Sequence, residues 1–341
     1  MESGFKLMKN ALKQHDPKST ALTLPGNLGA LTLAWNRLDI QASTFSVWYD
    51  TKALLPPSVP GSFISLTHVK DVLDVITSNI LAVIRSEGPE VSSPDQLPAE
   101  LHTQLSELKT KLQAWVDVFE GFLISSELDI LEKKNPKPDD IQAIISHHRI
   151  MIQYWLSLIW LYTSFSLTQT VHDAYMPAFT SIADLAETII RLQPSRKSYY
   201  QLIADTSVVQ PLFYVAQKCR DGSLRRRAHR LLADAGREGV WDGQCSAAVC
   251  AWIIAKEEEG LEEGVVGCIE LGSKGYVEDR YRVKGGTVDF NRYGRMLRVS
   301  CKRRREDGEG EVIEGFERWG EVEGVVYGEQ DKLWQHGALF G

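Results

Sequence analysis

Residues 208–243 of the chain read VVQPLFYVAQKCRDGSLRRRAHRLLADAGREGVWDG, and this stretch decides the fold class. Apolar residues recur every three or four positions on both sides of Asp221, which predicts two amphipathic helices joined by a short turn. Pro211 suits a first helical turn, where its missing N–H costs nothing, and Asp221 suits the N-cap of the second helix. Gly236 then ends that helix. The stretch therefore predicts a pair of packed helices.

The same spacing recurs elsewhere before Gly260. It marks residues 66–85, 103–123 and 179–192, and a last helix around residues 248–253. We therefore expect a mainly α fold, a multi-helix bundle, with residues 1–260 forming one all-α domain.

After Gly260 the helical period gives way to alternation. Val288 and Phe290 alternate with polar neighbours, residues 291–294 supply a turn, and Leu297, Val299 and Cys301 alternate again. Two alternating runs joined by a turn predict a β-hairpin. We expect residues 261–341 to form a small antiparallel β element, a hairpin or sheet, packed on the helical domain and ending in a flexible tail.

Composition narrows the function classes. The 341 residues are 24% charged and carry a net charge of −7, which is ordinary for a globular protein and unfavourable for coating nucleic acid. The first residues lack the apolar run of a signal peptide, and the five cysteines are irregularly spaced, so we expect a reduced intracellular compartment. The uncharged run at residues 150–167 holds five Gln, Ser and Thr side chains, which favours a buried helix over a membrane span.

Motifs that carry catalysis are missing from the sequence. It contains no G-x-S-x-G elbow, no P-loop and no G-x-G-x-x-G fingerprint. His172 and Asp173 are adjacent, but adjacency alone is weak evidence for a base and the carboxylate that orients it. We therefore predict that the chain is not an enzyme and has no catalytic or cofactor-binding residues.

Metal ligands are not placed at favourable spacings either. Cys245 and Cys250 are five apart on an expected helix and would point about 140° apart. His147 and His148 are adjacent and would diverge by about 100°. A structural zinc needs four ligands, typically in close pairs, so we predict no metal site.

Two basic clusters remain. The first comprises Arg225, Arg226, Arg227 and Arg230, on one predicted helix. Residues 226, 227 and 230 would stand on its outer faces, either as a solvated face that pairs with acidic neighbours or as a surface for a partner or a phosphate. The second is the run Lys302, Arg303, Arg304, Arg305, which is a candidate nuclear-import patch or simply a charged strand end. Neither cluster has the interleaved aromatic residues that bind single-stranded nucleic acid.

The stretch from Val208 to Gly243 resembles the C-terminal part of fungal zinc binuclear-cluster transcription factors. In that family a run of the type PPLFFVATKCRDPxLRRRAIxLL…REGLWD recurs. Residues 34–46, AWNRLDIQASTFS, are similar to the family's AFxRLDxQAxxF segment, and residues 62–76 to the helix that follows it. The chain departs from the family in lacking the run of six cysteines that binds two zinc ions in the DNA-reading module.

The matched motif has a structural and a binding interpretation, and we favour the structural one. In it, Arg220 and the arginine triplet bond helix carbonyls and nearby carboxylates around a tight helix joint, and Trp241 fills the gap after the second helix. The motif residues are Cys219, Arg220, Asp221, Arg225, Arg226, Arg227 and Trp241.

The resemblance implies an all-α regulatory or effector region of a transcription factor, of a secondary-metabolism type, without its own DNA-binding module. Its implied work is protein–protein contact, autoinhibition or sensing of a small molecule. The implied partners are proteins, either a second copy of the chain or a DNA-binding regulator, so that DNA is reached only indirectly and no membrane is involved. The implied location is the nucleus, with the cytoplasm as the alternative.

A second hypothesis is a stand-alone helical scaffold or small-molecule-binding protein derived from such a regulator. The aromatic residues Tyr154, Trp155, Trp160 and Tyr162 could line a pocket between helices, although plain core is the commoner role of such residues. The sequence leaves open whether Met1 is the first residue of the natural protein.

Overall fold

The computed structural model describes residues 31–34, 37–38, 40, 58–85, 91, 93–126, 137–193, 207–238, 241–259, 277, 279–291, 296–304, 310–318 and 335–339. Long helices come first and an antiparallel sheet lies at the C-terminal end, which confirms the expected mainly α fold with a β element.

These residues belong to two compact units, one ending at Leu167 and the other beginning at Thr168. The expected boundary between residues 260 and 261 stays a prediction, because residues 260–276 lie outside the described part of the chain. The sheet belongs to the same unit as the last four helices, because it packs on the final helix. The strand and helix patterns revealed the change in secondary structure, but not which helices the sheet would cover.

Three helices of the first unit have both ends within the described residues: α1 (Leu66–Arg85), α2 (Ala99–Ser125) and α3 (Pro138–Thr163). Helix α1 packs against both of the others. Trp115 of α2 is fully buried, and its indole Nε1 donates a hydrogen bond of 3.0 Å to the Val69 carbonyl of α1. The apolar stripes predicted at residues 66–85 and 103–123 thus pack against each other in the core of this unit.

Helix α3 contains residues 150–163 of the uncharged run. It begins at Pro138, and Asp140 accepts the Lys137 backbone N–H at 3.0 Å, which satisfies one free donor at the helix start. Ile150 and Ile159 are buried in the core of the unit. Among the described residues no helix is long and apolar enough to cross a membrane.

A buried carboxylate joins α1 to α3 and to the segment that precedes them. Asp74 is 1% exposed and accepts hydrogen bonds from Lys70 Nζ at 2.8 Å and from Gln153 Nε2 at 2.8 Å. Arg37 donates from Nε to Asp74 at 3.0 Å and from a terminal nitrogen to Asp71 at 2.6 Å. Burial raises the pKa of Asp71, although Arg37 opposes the shift. The arginine of the second matched segment therefore fixes that segment to α1.

The second unit holds four helices, α4 (Met176–Leu192), α5 (Val209–Lys218), α6 (Gly222–Asp234) and α7 (Gly243–Glu258). Asp221 caps α6 by accepting the Leu224 N–H at 2.8 Å, and Asp242 caps α7 by accepting the Cys245 N–H at 3.0 Å. Gly236 follows α6 with a φ of 73°, a backbone conformation that favours glycine.

Two sheets complete the second unit. A short one pairs β1 (Arg237–Glu238) with β2 (Trp241–Asp242). The larger one has four antiparallel strands in the order β5-β4-β3-β6. Its strands are β3 (Val283–Asn291), β4 (Met296–Arg304), β5 (Gly310–Arg318) and β6 (Gln335–Leu339).

The predicted hairpin is the β3–β4 pair, and Leu297, Val299 and Cys301 are its buried face. The sequence did not reveal β5 or β6. Residues 335–339, which lie in the expected flexible tail, pair with β3 as an edge strand.

Gly286 lies inside β3 rather than in a turn before it. The register shifts between Lys284 and Gly286, and a β-carbon on Gly286 would lie 2.0 Å from the Ser300 carbonyl oxygen. The glycine therefore allows a close approach of two strands at a β-bulge.

Candidate functional site

The motif that resembles the regulator family forms the joint between α5 and α6 in the second unit. The Cys219 N–H donates to the Val215 carbonyl at 3.0 Å, which ends α5, and Asp221 caps the start of α6 two residues later. Such a short link leaves the other carbonyls at the end of α5 without partners of their own helix.

Two arginines bind those carbonyls. Arg225 of α6 donates from Nε to the Ala216 oxygen at 3.0 Å, and Arg282, just before β3, donates to the Gln217 oxygen. Both arginine side chains are at most 1% exposed. The end of α5 is therefore satisfied by guanidinium groups from two other elements.

Glu257 of α7 holds both guanidinium groups. Its Oε2 accepts from Arg225 at 2.5 Å and from Arg282 at 2.8 Å, while its Oε1 accepts the Val283 backbone N–H at 2.9 Å. The carboxylate is completely buried. One acidic side chain thus ties α6, α7 and β3 to the end of α5, and we call Arg225, Glu257 and Arg282 the joint triad.

The joint triad carries two buried positive charges and one negative charge. Burial lowers the pKa of Arg282 to about 10, with Glu257 opposing the shift and Arg225 adding to it. Within the described part of the chain, Arg225 Nη1 and Arg282 Nε have no hydrogen-bond acceptor. The arrangement depends on Glu257, because an unpaired charge inside a protein is strongly unfavourable.

The remaining arginines of the motif form ion pairs nearer the surface. Arg226 pairs with Glu258 of α7 at 2.6 Å. Arg227 pairs with Asp184 of α4 at 2.6 Å and also with Glu187. Ion pairs with nearby carboxylates are contacts that the structural interpretation of the motif predicts.

Arg220 connects the joint to the segment before α4. It donates from Nε to Asp173 at 2.7 Å and to the Val277 carbonyl at 3.2 Å. Asp173 is therefore held by an arginine and does not orient the neighbouring histidine.

Residues 237–238 and 241–242, near the end of the motif, contact α5. The Glu238 carboxylate is buried and accepts the backbone N–H groups of Ser207, Val208 and Val209 at 3.3, 2.9 and 3.0 Å. Trp241 is also buried, and its ring centroid lies 5.5 Å from that of Phe213. The two ends of α5 are thus fixed by different parts of the same motif.

No disulfide joins the described cysteines of the second unit. Cys219, Cys250 and Cys301 are buried, and Cys245 is half-buried. Burial raises the pKa of Cys219 and of Cys301 to about 12, so both remain neutral thiols. Cys268 lies outside the described residues.

The histidines noted in the sequence, His147, His148 and His172, contact other side chains or backbone groups of their own units. His172 is buried; its Nδ1 donates to the Gln169 carbonyl at 3.1 Å, and its Nε2 therefore accepts the Tyr214 hydroxyl at 3.2 Å. His147 and His148 do not diverge as expected, since their Nδ1 atoms lie 3.2 Å apart. Burial lowers the pKa of His147 to about 4, and the neighbouring His148 adds to the shift.

Mild acid should destabilise the protein through His172. Burial, with a smaller contribution from Lys218, lowers the pKa of His172 from 6.5 to about 3. Between those values the unfolded chain binds more protons than the folded one, so stability falls as the pH is lowered, by up to about 1.4 kcal/mol per pH unit for this group. Urea titrations at pH 4, 5 and 6 measure the free energy of unfolding at each pH. This free energy should depend less steeply on pH in His172→Gln than in the unchanged chain, and His102→Gln, at an exposed position, serves as the control variant.

The described cysteines and histidines are not arranged as metal ligands. No group of three or more His, Cys, Asp or Glu side chains in the described part of the chain is arranged to hold an ion. Cys245 and Cys250 make separate contacts, Cys245 at the start of α7 and Cys250 near the Phe213 carbonyl at 4.0 Å.

The candidate import patch lies at the end of β4. Lys302 is exposed, whereas Arg303 is partly buried and donates to the Lys256 carbonyl of α7. Arg304 is in the strand, opposite Gly310 of β5, and Arg305 lies outside the described residues.

The aromatic residues of α3 divide between core and groove. Tyr154 and Tyr162 line a groove of about 460 Å³ between α2 and α3, whereas Trp160 is buried and Trp155 half-buried. Only the two tyrosines therefore fit the pocket hypothesis.

Sequence reasoning missed Glu257, Arg282, Glu238 and Arg37 as key residues. For Glu257 a signal was present, because it lies four residues after Ile253 and seven after Cys250 on the buried face of α7. Its charge at the end of the helix suggested a solvated position instead. Arg282 offered no such signal, since it belongs to no periodic run.

Comparison of the chain with protein-family models, with curated proteins and with solved structures finds no match.

Proposed function

We propose that this chain is the regulatory or effector region of a transcription regulator similar to the fungal zinc binuclear-cluster type, of a secondary-metabolism kind. It acts in the nucleus through protein contacts and reaches DNA only through a partner, either a second copy of the chain or a DNA-binding regulator. The observation that supports this proposal is the use of the motif: each of its arginines binds an acidic side chain or a backbone carbonyl of its own unit.

Binding of DNA begins with cations that neutralise phosphates, and those cations must be available at the surface. Arg225 is completely buried, and Arg226 and Arg227 are paired with carboxylates. The basic triplet therefore stabilises the helical body, and this favours a scaffold that presents surfaces to protein partners over a DNA-reading surface.

A reporter assay tests the proposal. The chain is fused to a heterologous DNA-binding module in a fungal cell that carries the matching reporter. We expect expression to change several-fold relative to the module alone, and we expect a fluorescent fusion of the chain to accumulate in the nucleus. Reporter output equal to that of the module alone, for a fusion that is folded and nuclear, would contradict the proposal.

Binding of DNA by the chain itself is tested separately. The purified chain is incubated with a pool of random duplexes and taken through rounds of selection. We expect no sequence to be enriched, because the motif arginines are already paired. Enrichment of one sequence, lost on Arg226→Gln with Arg227→Gln but retained in Lys109→Gln, would show that the triplet reads DNA.

A small-molecule-binding protein is the second candidate, and the groove between α2 and α3 favours it. Its volume of about 460 Å³ lies within the range of ligand sites, about 300–1,000 Å³. A ligand that copurifies with the chain in stoichiometric amount would support this candidate.

A further inference from the structure

The groove between α2 and α3 has an apolar floor and a polar rim. Leu112 of α2 and Leu158 and Leu161 of α3 supply the floor, and the tyrosines of α3 stand at its two ends. The groove lies wholly inside the first unit and shares no residue with the joint triad.

The two ends of the groove differ in charge. Lys109 Nζ lies 4.3 Å from the centre of the Tyr162 ring, which makes that end positive. Asp117 lies eight residues further along α2, or about 12 Å at 1.5 Å per residue, and Tyr154 lies eight residues before Tyr162 on α3.

The other end is negative. Asp117 lines the groove there and accepts a hydrogen bond from the uncharged Gln113 at 2.8 Å. The pKa of Tyr154 is raised, first by burial and then by the charges of Glu120, Tyr162 and Asp117, so both carboxylates act on this end. Among the described residues, no cation is paired with Asp117 or Glu120.

We propose that this groove binds a small organic cation, an amine with an apolar or aromatic body. Its ammonium group binds between the Asp117 carboxylate and the Tyr154 hydroxyl, and its body lies on Leu158 and Leu161 toward Tyr162. The two carboxylates attract the charged group, and Lys109 repels it from the opposite end, so charge fixes the orientation of the ligand. The apolar floor favours the body over water.

Three probes of similar size and different charge test the proposal: 2-phenylethylammonium, 2-phenylethanol and 3-phenylpropanoate. Binding to the full chain is measured by ligand-observed NMR titration at low salt, because the carboxylates are exposed and their attraction is screened. We expect the cation to bind about fivefold more tightly than the alcohol, a gain typical of one exposed charge pair, and the anion to bind least.

Two variants of α2 locate the site. Asp117→Asn should remove most of the preference for the cation, because only Glu120 then keeps its charge at that end. Glu107→Gln removes a charge from an exposed position outside the groove and should leave the preference unchanged. Equal binding of the three probes, or equal effects of the two variants, would overturn the proposal. The regulatory function proposed above does not depend on this result, since its tests are reporter output and selection of DNA.

Discussion

Replacing Glu257 with alanine should destabilise the second unit by about 3–5 kcal/mol, the range expected when one partner of a buried ion pair is removed. The cost arises because Arg225 and Arg282 would keep their charges while losing the one carboxylate that both of them bind. The Val283 N–H would lose its acceptor as well. Urea unfolding at pH 7, followed by circular dichroism, measures the change.

A matched control lies two residues away. Glu259 is more than half exposed and pairs with Lys256 of the same helix, so Glu259→Ala should change the free energy of unfolding by less than about 1 kcal/mol. If the two alanine variants were equally stable, the joint triad would not hold the unit together.

A triple variant distinguishes the electrostatic contribution of the joint triad from the packing contribution of its side chains. Arg225→Met, Glu257→Leu and Arg282→Met together remove all three charges and keep most of the volume. Apolar replacement of a buried ionic cluster is often neutral or stabilising, so the triple variant should be more stable than Glu257→Ala. A triple variant less stable than the single one would show that the arginine bonds to the α5 carbonyls matter more than charge balance.

The helices and the hairpin could be predicted because their signal is local. The three-and-four spacing in α2 and the alternation around Val299 depend only on which residues face the core. The caps of α6 and α7 could be predicted for the same reason, since Asp221 and Asp242 each accept a hydrogen bond from a backbone N–H three residues ahead. For Asp242 this signal was present although it was not used.

The contacts that complete the candidate site are long-range, and sequence spacing carries no information about them. Arg282 binds the Gln217 carbonyl across 65 residues, and Arg225 binds Glu257 across 32. A single sequence shows that Arg225 and Glu257 are charged, but not that they meet in the interior. Glu257 stands at the end of a helix, where its charge alone would suggest a solvated position, yet its side chain is completely buried.

Replacing Glu238 with alanine should destabilise the second unit by about 3 kcal/mol. Hydrogen bonds to a charged acceptor contribute about 1.5–3 kcal/mol, and Glu238 accepts from three backbone N–H groups at the start of α5. The three bonds share one carboxylate, so their contributions do not add in full. Its negative charge also lies where the positive end of the helix dipole favours it. Glu238→Gln keeps an acceptor without the charge, so its loss should be about half as large.

Hydrogen exchange distinguishes a local cap from a general contribution to the core. If Glu238 acts as the cap of α5, Glu238→Ala should speed exchange at the Val208 and Val209 amides more than at amides in the middle of α6, under conditions where the unit stays folded. Uniform acceleration at both places would mean that the variant acts only through global unfolding. The expected local pattern follows from geometry. N–H groups in the first turn of a helix have no carbonyl of the same helix to bond, and those of Val208 and Val209 bond the Glu238 side chain instead.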